Sequence, residues 1–202
     1  MPIKNDRIYR AIQDPFTTNP TEKRIQSDFY VEGFATTFDK PYLLYEYEGN
    51  KYFELIERTA LDEADMSDVI MQYDHAGRVR ARTSNGSLGI EPIQYGLFTF
   101  ADLSRSGAAK EMYEDIDSGL ITKMSWAFTV GQDAYDRENR TRIIQKVKKV
   151  YDVSAVSIPA NDATEISARS YVDGVIEREM QELQERLELA KRKYYYFKEL
   201  SK

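Results

Sequence analysis

The sequence predicts an α+β domain in which strands dominate, followed by a long C-terminal helix. Three observations carry this. Between residues 28 and 158, β-branched and aromatic runs recur, separated by Gly, Asn and Pro. One stretch, 106–119, combines helical spacing with a capping residue at each end. From 175 onward apolar residues recur at alternating steps of four and three, the spacing of a heptad seam.

Each element has its own signal. Residues 1–27 are polar, carry Pro2, Pro15 and Pro20 and show no steady period, which reads as an extended or partly disordered N-terminal arm. "DFYVEGFATTF" (28–38) is a strand in which Gly33 suggests a bulge or a close backbone approach. "YLLYEYEGNKYFELI" (42–56) is two strands with a hairpin at Gly49-Asn50. "TALDEADMSD" (59–68) is a short helical candidate. Further strands are expected at 68–74, 87–93, 95–102, 122–130, 141–150 and 151–158, with Asn85-Gly86 marking a turn. In 106–119, Ser106 is the N-cap, Gly119 follows the last turn, and Ala109, Met112 and Ile116 share a face. This helix is expected over or beside a barrel or sandwich.

Residues 160–170 read as a linker. The seam that follows is Ile176, Met180, Leu183, Leu187, Ala190, Tyr194 and Phe197. Glu177, Glu179, Glu182 and Glu185 come early in it and Lys191, Arg192, Lys193 and Lys198 late, a polarity that suits the helix dipole. Three segments result: an arm over 1–27, a domain over 28–169 and a helical extension over 170–202. The seam needs cover, so a homo-oligomer formed through this helix is expected.

Composition excludes several function classes. A 202-residue chain, 42 % hydrophobic with 15 Tyr and 9 Phe, holds a sizeable core. A net charge of −6 argues against a nucleic-acid partner. No apolar run approaches the ~18 residues of a membrane span, and the N-terminus has no apolar signal region. A soluble, intracellular protein is expected. With no Cys there are no disulfides and no thiolate nucleophiles or ligands. Neither a phosphate loop nor a dinucleotide fingerprint is present, so no cofactor is expected. Zinc would need the single His75 with carboxylates, against its nitrogen and sulfur preference, so no metal is expected either.

A nucleophilic enzyme built from this sequence must attack with Ser or Thr and use His75 as its base. Strand alternation puts Met124, Trp126 and Phe128 on one face and Ser125, Ala127 and Thr129 on the other, leaving room beside the Ser125 hydroxyl. Asp152 lies among Val153, Ala155, Val156 and Ile158, where a carboxylate needs a partner. A serine hydroxyl needs a base within reach, and the base needs an orienting group; Ser125, His75 and Asp152 supply those types in the chain order His, Ser, Asp. Taken alone, each residue also has a plain structural role open to it: a surface histidine, a packing serine, a solvated edge carboxylate.

Five stretches in one order resemble the prohead (procapsid-maturation) serine proteases of tailed bacteriophages, over roughly residues 28–169. They are "VEGFATTFDKPYLLYE" (31–46), "QYDHAGR" (72–78), "RTSNGSLGI" (82–90), "GLITKMSWAFTV" (119–130) and "VYDVSAVSIPAND" (150–162). The resemblance implies a fold like the herpesvirus assemblins, a closed, mostly antiparallel barrel with a few surrounding helices. It also implies His75 as base and Ser125 as nucleophile. Asp152 stands where the herpesvirus enzymes have a second histidine, and Ala127 where relatives often have Gly. Arg82 is the candidate for the oxyanion site, with a surface salt bridge as its alternative role. The function implied is cleavage of scaffold, of a scaffold-like N-terminal segment of the major capsid protein, and of the chain itself. Partners would be the major capsid protein and scaffold, inside the prohead within a bacterial cytoplasm, with the C-terminal helix attaching to scaffold. Two readings compete: an inactive scaffold or capsid-assembly factor with a protease-like domain, and a metal-dependent hydrolase using His75 with Asp74.

Overall fold

The computed structural model describes residues 7–12, 16–157 and 162–200. Residues 1–6 and 13–15 of the expected arm and 158–161 of the closing motif lie outside them. The chain divides into two compact units, Met1–Glu165 and Ile166–Lys202.

The first unit is organised around two long antiparallel strands, β9 (Lys123–Asp136) and β10 (Thr141–Val156). The sequence reading divided the second of these in two. It stays continuous because the β-branched run Val147, Val150, Val153 buries one side throughout. On its far edge β10 takes two parallel neighbours in succession. Thr141–Ile144 pairs with β4 (Asn50–Ile56), and Asp152–Ala155 with β5 (Ile70–Tyr73). β3 (Tyr42–Tyr47) extends the β4 end and β6 (Ala76–Arg82) the β5 end. On the free edge of β9 lies β1 (Ile8–Ile12), a strand within the segment read as an arm. A second sheet has the order β2 (Tyr30–Thr37), β8 (Gly96–Asp102), β7 (Leu88–Pro92).

The expected closed barrel does not form. β10 spends its outer edge on two different neighbours, so the first sheet forks instead of curling round to meet itself. Among the described residues the free edge of β2 carries a single bridge, Thr17 to Glu32. The two sheets instead share a core in which Val31, Ala35, Leu97 and Ala101 meet Trp126, Phe128 and Val153. Trp126 and Phe128 stack at 3.9 Å, and both are fully buried. Each such side chain contributes about 1.5–3 kcal/mol of transfer free energy.

The helix after β8, α1 (Gly107–Asp117), has the expected cap: Ser106 Oγ accepts from the Ala109 N–H at 3.1 Å, and Ala109, Met112 and Ile116 are buried. The 59–68 candidate reduces to one 3-10 turn, Arg58–Leu61, anchored by buried Ala60 and Leu61. The β3–β4 hairpin turns on Glu48 and Gly49, both at positive φ, one residue earlier than Gly49-Asn50.

The helix α2 runs Asp162–Leu200 and forms the second unit from Ile166 onward. It starts inside the stretch read as a linker, because Ala, Glu, Ile and Arg there are adequate helix formers and no Pro or Gly interrupts them before Gly174. Met180, Leu183, Leu187 and Tyr194 of the seam are each more than half exposed, and the Phe197 side chain lies outside the described ones. Among the described residues no helix is long and apolar enough to cross a membrane.

Candidate active site

His75 is held by a two-residue turn. Asp74 and His75 link β5 to β6 with φ of 49° and 56°, the left-handed region that Asn, Asp and His tolerate best among residues with a side chain. Asp74 secures this turn to the end of β10. Its backbone N–H donates to the Ala155 carbonyl at 2.9 Å, while its carboxylate accepts from the Ser157 N–H and hydroxyl, both at 2.8 Å. The turn therefore presents the imidazole from a fixed point.

Ser125 sits within β9, paired with Ala11 of β1 on one side and Ser154 of β10 on the other. Met124 and Trp126 go to the core, so Ser125 and Ala127 take the opposite face. Asp152 joins that face opposite Ala127. A bulge at Tyr151 makes this possible: Val150 pairs with Phe128 and turns to the core, although it lies only two residues before Asp152.

The three side chains meet. His75 Nδ1 lies 2.5 Å from Asp152 Oδ1, and His75 Nε2 lies 2.7 Å from Ser125 Oγ. With the proton on Nδ1, the ring donates to the carboxylate and accepts the Ser125 hydroxyl proton at Nε2. Ser154 Oγ donates to the same Asp152 oxygen at 2.7 Å. The His75 and Asp152 side chains are 6 % and 5 % exposed, which strengthens these contacts relative to water. A serine, a histidine and a carboxylate in this order of contact are the groups needed to move a hydroxyl proton onto a base while the carboxylate balances the resulting charge.

A model of the caudovirus prohead serine protease family matches residues 17–185. The chain belongs to that family. Searches of curated proteins and of solved structures each returned no match. The family is one of prohead serine peptidases, which implies a setting in capsid maturation and interaction with capsid proteins.

Arg82 is not drawn into this cluster. Its guanidinium forms a two-pronged pair with Asp68, Nε to Oδ1 at 2.7 Å and Nη2 to Oδ2 at 2.5 Å, on the surface. Asp74, the other candidate metal ligand, is engaged with Ser157, while the ring next to it faces Asp152. Among the described residues no three His, Asp or Glu side chains converge as a metal site.

Two contributors escaped the sequence reading. Ser154 is signalled only by its i, i+2 relation to Asp152 on one strand. Tyr9 stands edge-on to the His75 ring at 4.6 Å and gave no signal in a segment read as an arm. Arg10, its neighbour, is buried and donates through Nε and Nη2 to the two carboxylate oxygens of Glu54 at 2.5 and 3.1 Å. Tyr42 and Arg142 also donate to Glu54, at 2.5 and 3.2 Å. Burial alone would raise the Glu54 carboxyl, but Arg10, Arg142 and these hydrogen bonds hold it below the usual carboxylate range.

Proposed function

We propose that this prohead protease is a serine endopeptidase in which Ser125 attacks, His75 is general base and then general acid, and Asp152 orients the imidazole. In the first step the Ser125 oxygen bonds to the scissile carbonyl carbon as its proton passes to His75 Nε2. The imidazolium is stabilised by Asp152, whose position Ser154 supports. The proton then passes to the departing amine, leaving an acyl-serine that water, deprotonated by His75, hydrolyses. The continuous Ser125–His75–Asp152 chain of hydrogen bonds carries this reading. Its substrates are the scaffold or the scaffold-like N-terminal segment of the major capsid protein, and the chain itself, cut inside the assembling shell. No role in the oxyanion site is assigned to the Arg82 side chain, since Asp68 already occupies it. The domain limits proposed are 28–169 for the protease and 170–202 for the extension, which would attach to scaffold or to a second copy.

Co-expression with the major capsid protein of the same virus, followed by mass measurement of both chains, tests this. Shortened products with the unaltered chain and full-length ones with Ser125→Ala are expected, with cleavage persisting in excess EDTA. Cleavage by the Ser125→Ala chain would remove Ser125 from the mechanism.

A further inference from the structure

β9, the strand that bears Ser125, has two edges. One is closed along its length by β10, and the other, among the described residues, carries β1 alone. β1 runs antiparallel to β9 with Ala11 directly opposite Ser125 and Tyr9 opposite Ala127. Tyr9 and Ala11 therefore share the face of the catalytic groups, and the Tyr9 ring reaches His75. Arg10 points the other way, into the carboxylate of Glu54. β1 also precedes the residues matched by the family model, which begin at 17. A peptide to be cut at Ser125 must present its carbonyl to that strand. An extended segment that adds to the edge of a sheet satisfies its own main-chain hydrogen bonds as it does so. Among the described residues only the edge under β1 is available for this, since β10 holds the other.

We infer that β1 occupies the peptide-binding edge of the active site, as a tethered strand that a substrate must displace. The inference rests on the serine-peptidase reading. It also specifies the ligand: an extended peptide with a small residue opposite Ser125 and a cationic residue just before it. Once Arg10 leaves, the Glu54 carboxylate is the group facing the vacated position, and Arg142 alone remains as its cationic partner. Binding to an edge that is free only a fraction of the time weakens apparent affinity by that fraction and leaves the limiting rate untouched.

Two probes test this on the full chain. A fluorophosphonate needs only the serine and its base, whereas a peptidyl diphenylphosphonate of sequence Ile-Tyr-Arg-Ala needs the edge as well. The chain has no cysteine, so Tyr9→Cys with Ala127→Cys introduces a single possible disulfide across β1 and β9. Its closure is expected to slow labelling by the peptidyl probe about tenfold or more, with recovery on reduction. Arg10→Met, in a chain without cysteines, is expected to lower the half-saturating concentration of that probe about threefold or more at an unchanged limiting rate. A strand that only supported the fold would lower the limiting rate instead. A probe with Glu in place of Arg should label more slowly than the Arg form. Equal labelling of the oxidised and reduced chains by the peptidyl probe, or an unchanged half-saturation with Arg10→Met, overturns the inference alone. If the fluorophosphonate fails to label Ser125 in every form, the peptidase reading falls and this inference with it.

Discussion

His75, Ser125 and Asp152 were legible as residue types because the chain offers so few alternatives: one imidazole, no thiol, and a serine flanked by large apolar residues. Their supports were not. Nothing in the sequence marks Tyr151 as the extra residue of a bulge, yet that residue lets Val150 be buried while Asp152 faces the imidazole. Asp152→Asn is expected to keep the fold and lower kcat roughly 10³–10⁴-fold, because an amide favours the wrong imidazole tautomer. Steady-state cleavage of a capsid-protein fragment, with circular dichroism as the folding control, checks it. Loss below tenfold would mean that another group orients His75. Ser154→Ala should cost less, since Asp152 keeps its contact with the ring and loses only one donor. At Gly96 a Cβ would come 2.1 Å from the Thr36 carbonyl oxygen, a backbone atom with no room to retreat. Gly96→Ala is therefore expected to destabilise the chain by about 2 kcal/mol or more, read as a drop in the urea midpoint at constant slope.

Among the elements, strands made of aromatic and β-branched residues were readable and charged ones were not. β6, "AGRVRAR", alternates only Val79 and Ala81 with three arginines and buries Ala81 alone, so its apolar signal is too weak to mark a strand; its pairing comes from the two-residue turn and from β5. β1 is five residues long, and its partner lies more than a hundred residues away, so no local pattern could reveal it. The seam of α2 was readable because heptad spacing is local. Met180, Leu183 and Leu187 stand 53–59 % exposed on it, and burying each would contribute about 1.5–3 kcal/mol at most. Truncation after Arg169 is expected to preserve peptidase activity and to weaken self-association or recovery in purified procapsids. Light scattering on full-length and truncated Ser125→Ala chains measures the first effect. Equal monomeric masses together with equal procapsid recovery would assign the seam no partner of either kind.

For the whole molecule, closure of the sheet was the part that could not be read, since strand count and alternation are the same for a barrel and for two open sheets. What decides it is that β10 shares its far edge between β4 and β5. Charge placement gives the molecule a predictable acid limit. Burial works to raise Glu54 and Asp102, but ion pairs and hydrogen bonds hold both below the ordinary range. A carboxyl depressed on folding stabilises the native state above its unfolded pKa, about 4, and that stabilisation is lost as pH falls further. The urea midpoint should be flat from pH 7 to 5 and fall below about pH 4. In the Arg10→Met chain Glu54 loses its largest charge partner, so its pKa lies closer to the unfolded value and the acid-dependent loss should shrink. An identical pH profile for the two chains would mean that the Arg10–Glu54 pair has no part in acid stability.

The far edge of β10 has one more consequence, and it concerns time. Among the described residues β5 pairs with no strand other than β10 and β6, so the turn bearing His75 has no seat until β10 exists. His75 and Asp152 are 77 residues apart in the chain, and the base is made long before the strand that receives it. Under the proposed mechanism a nascent chain therefore carries Ser125 and His75 unassembled, and synthesis of β10 is expected to act as the timer that arms the enzyme. Stalled chains ending before Asp152 should resist fluorophosphonate, and released chains that include Val156 should react.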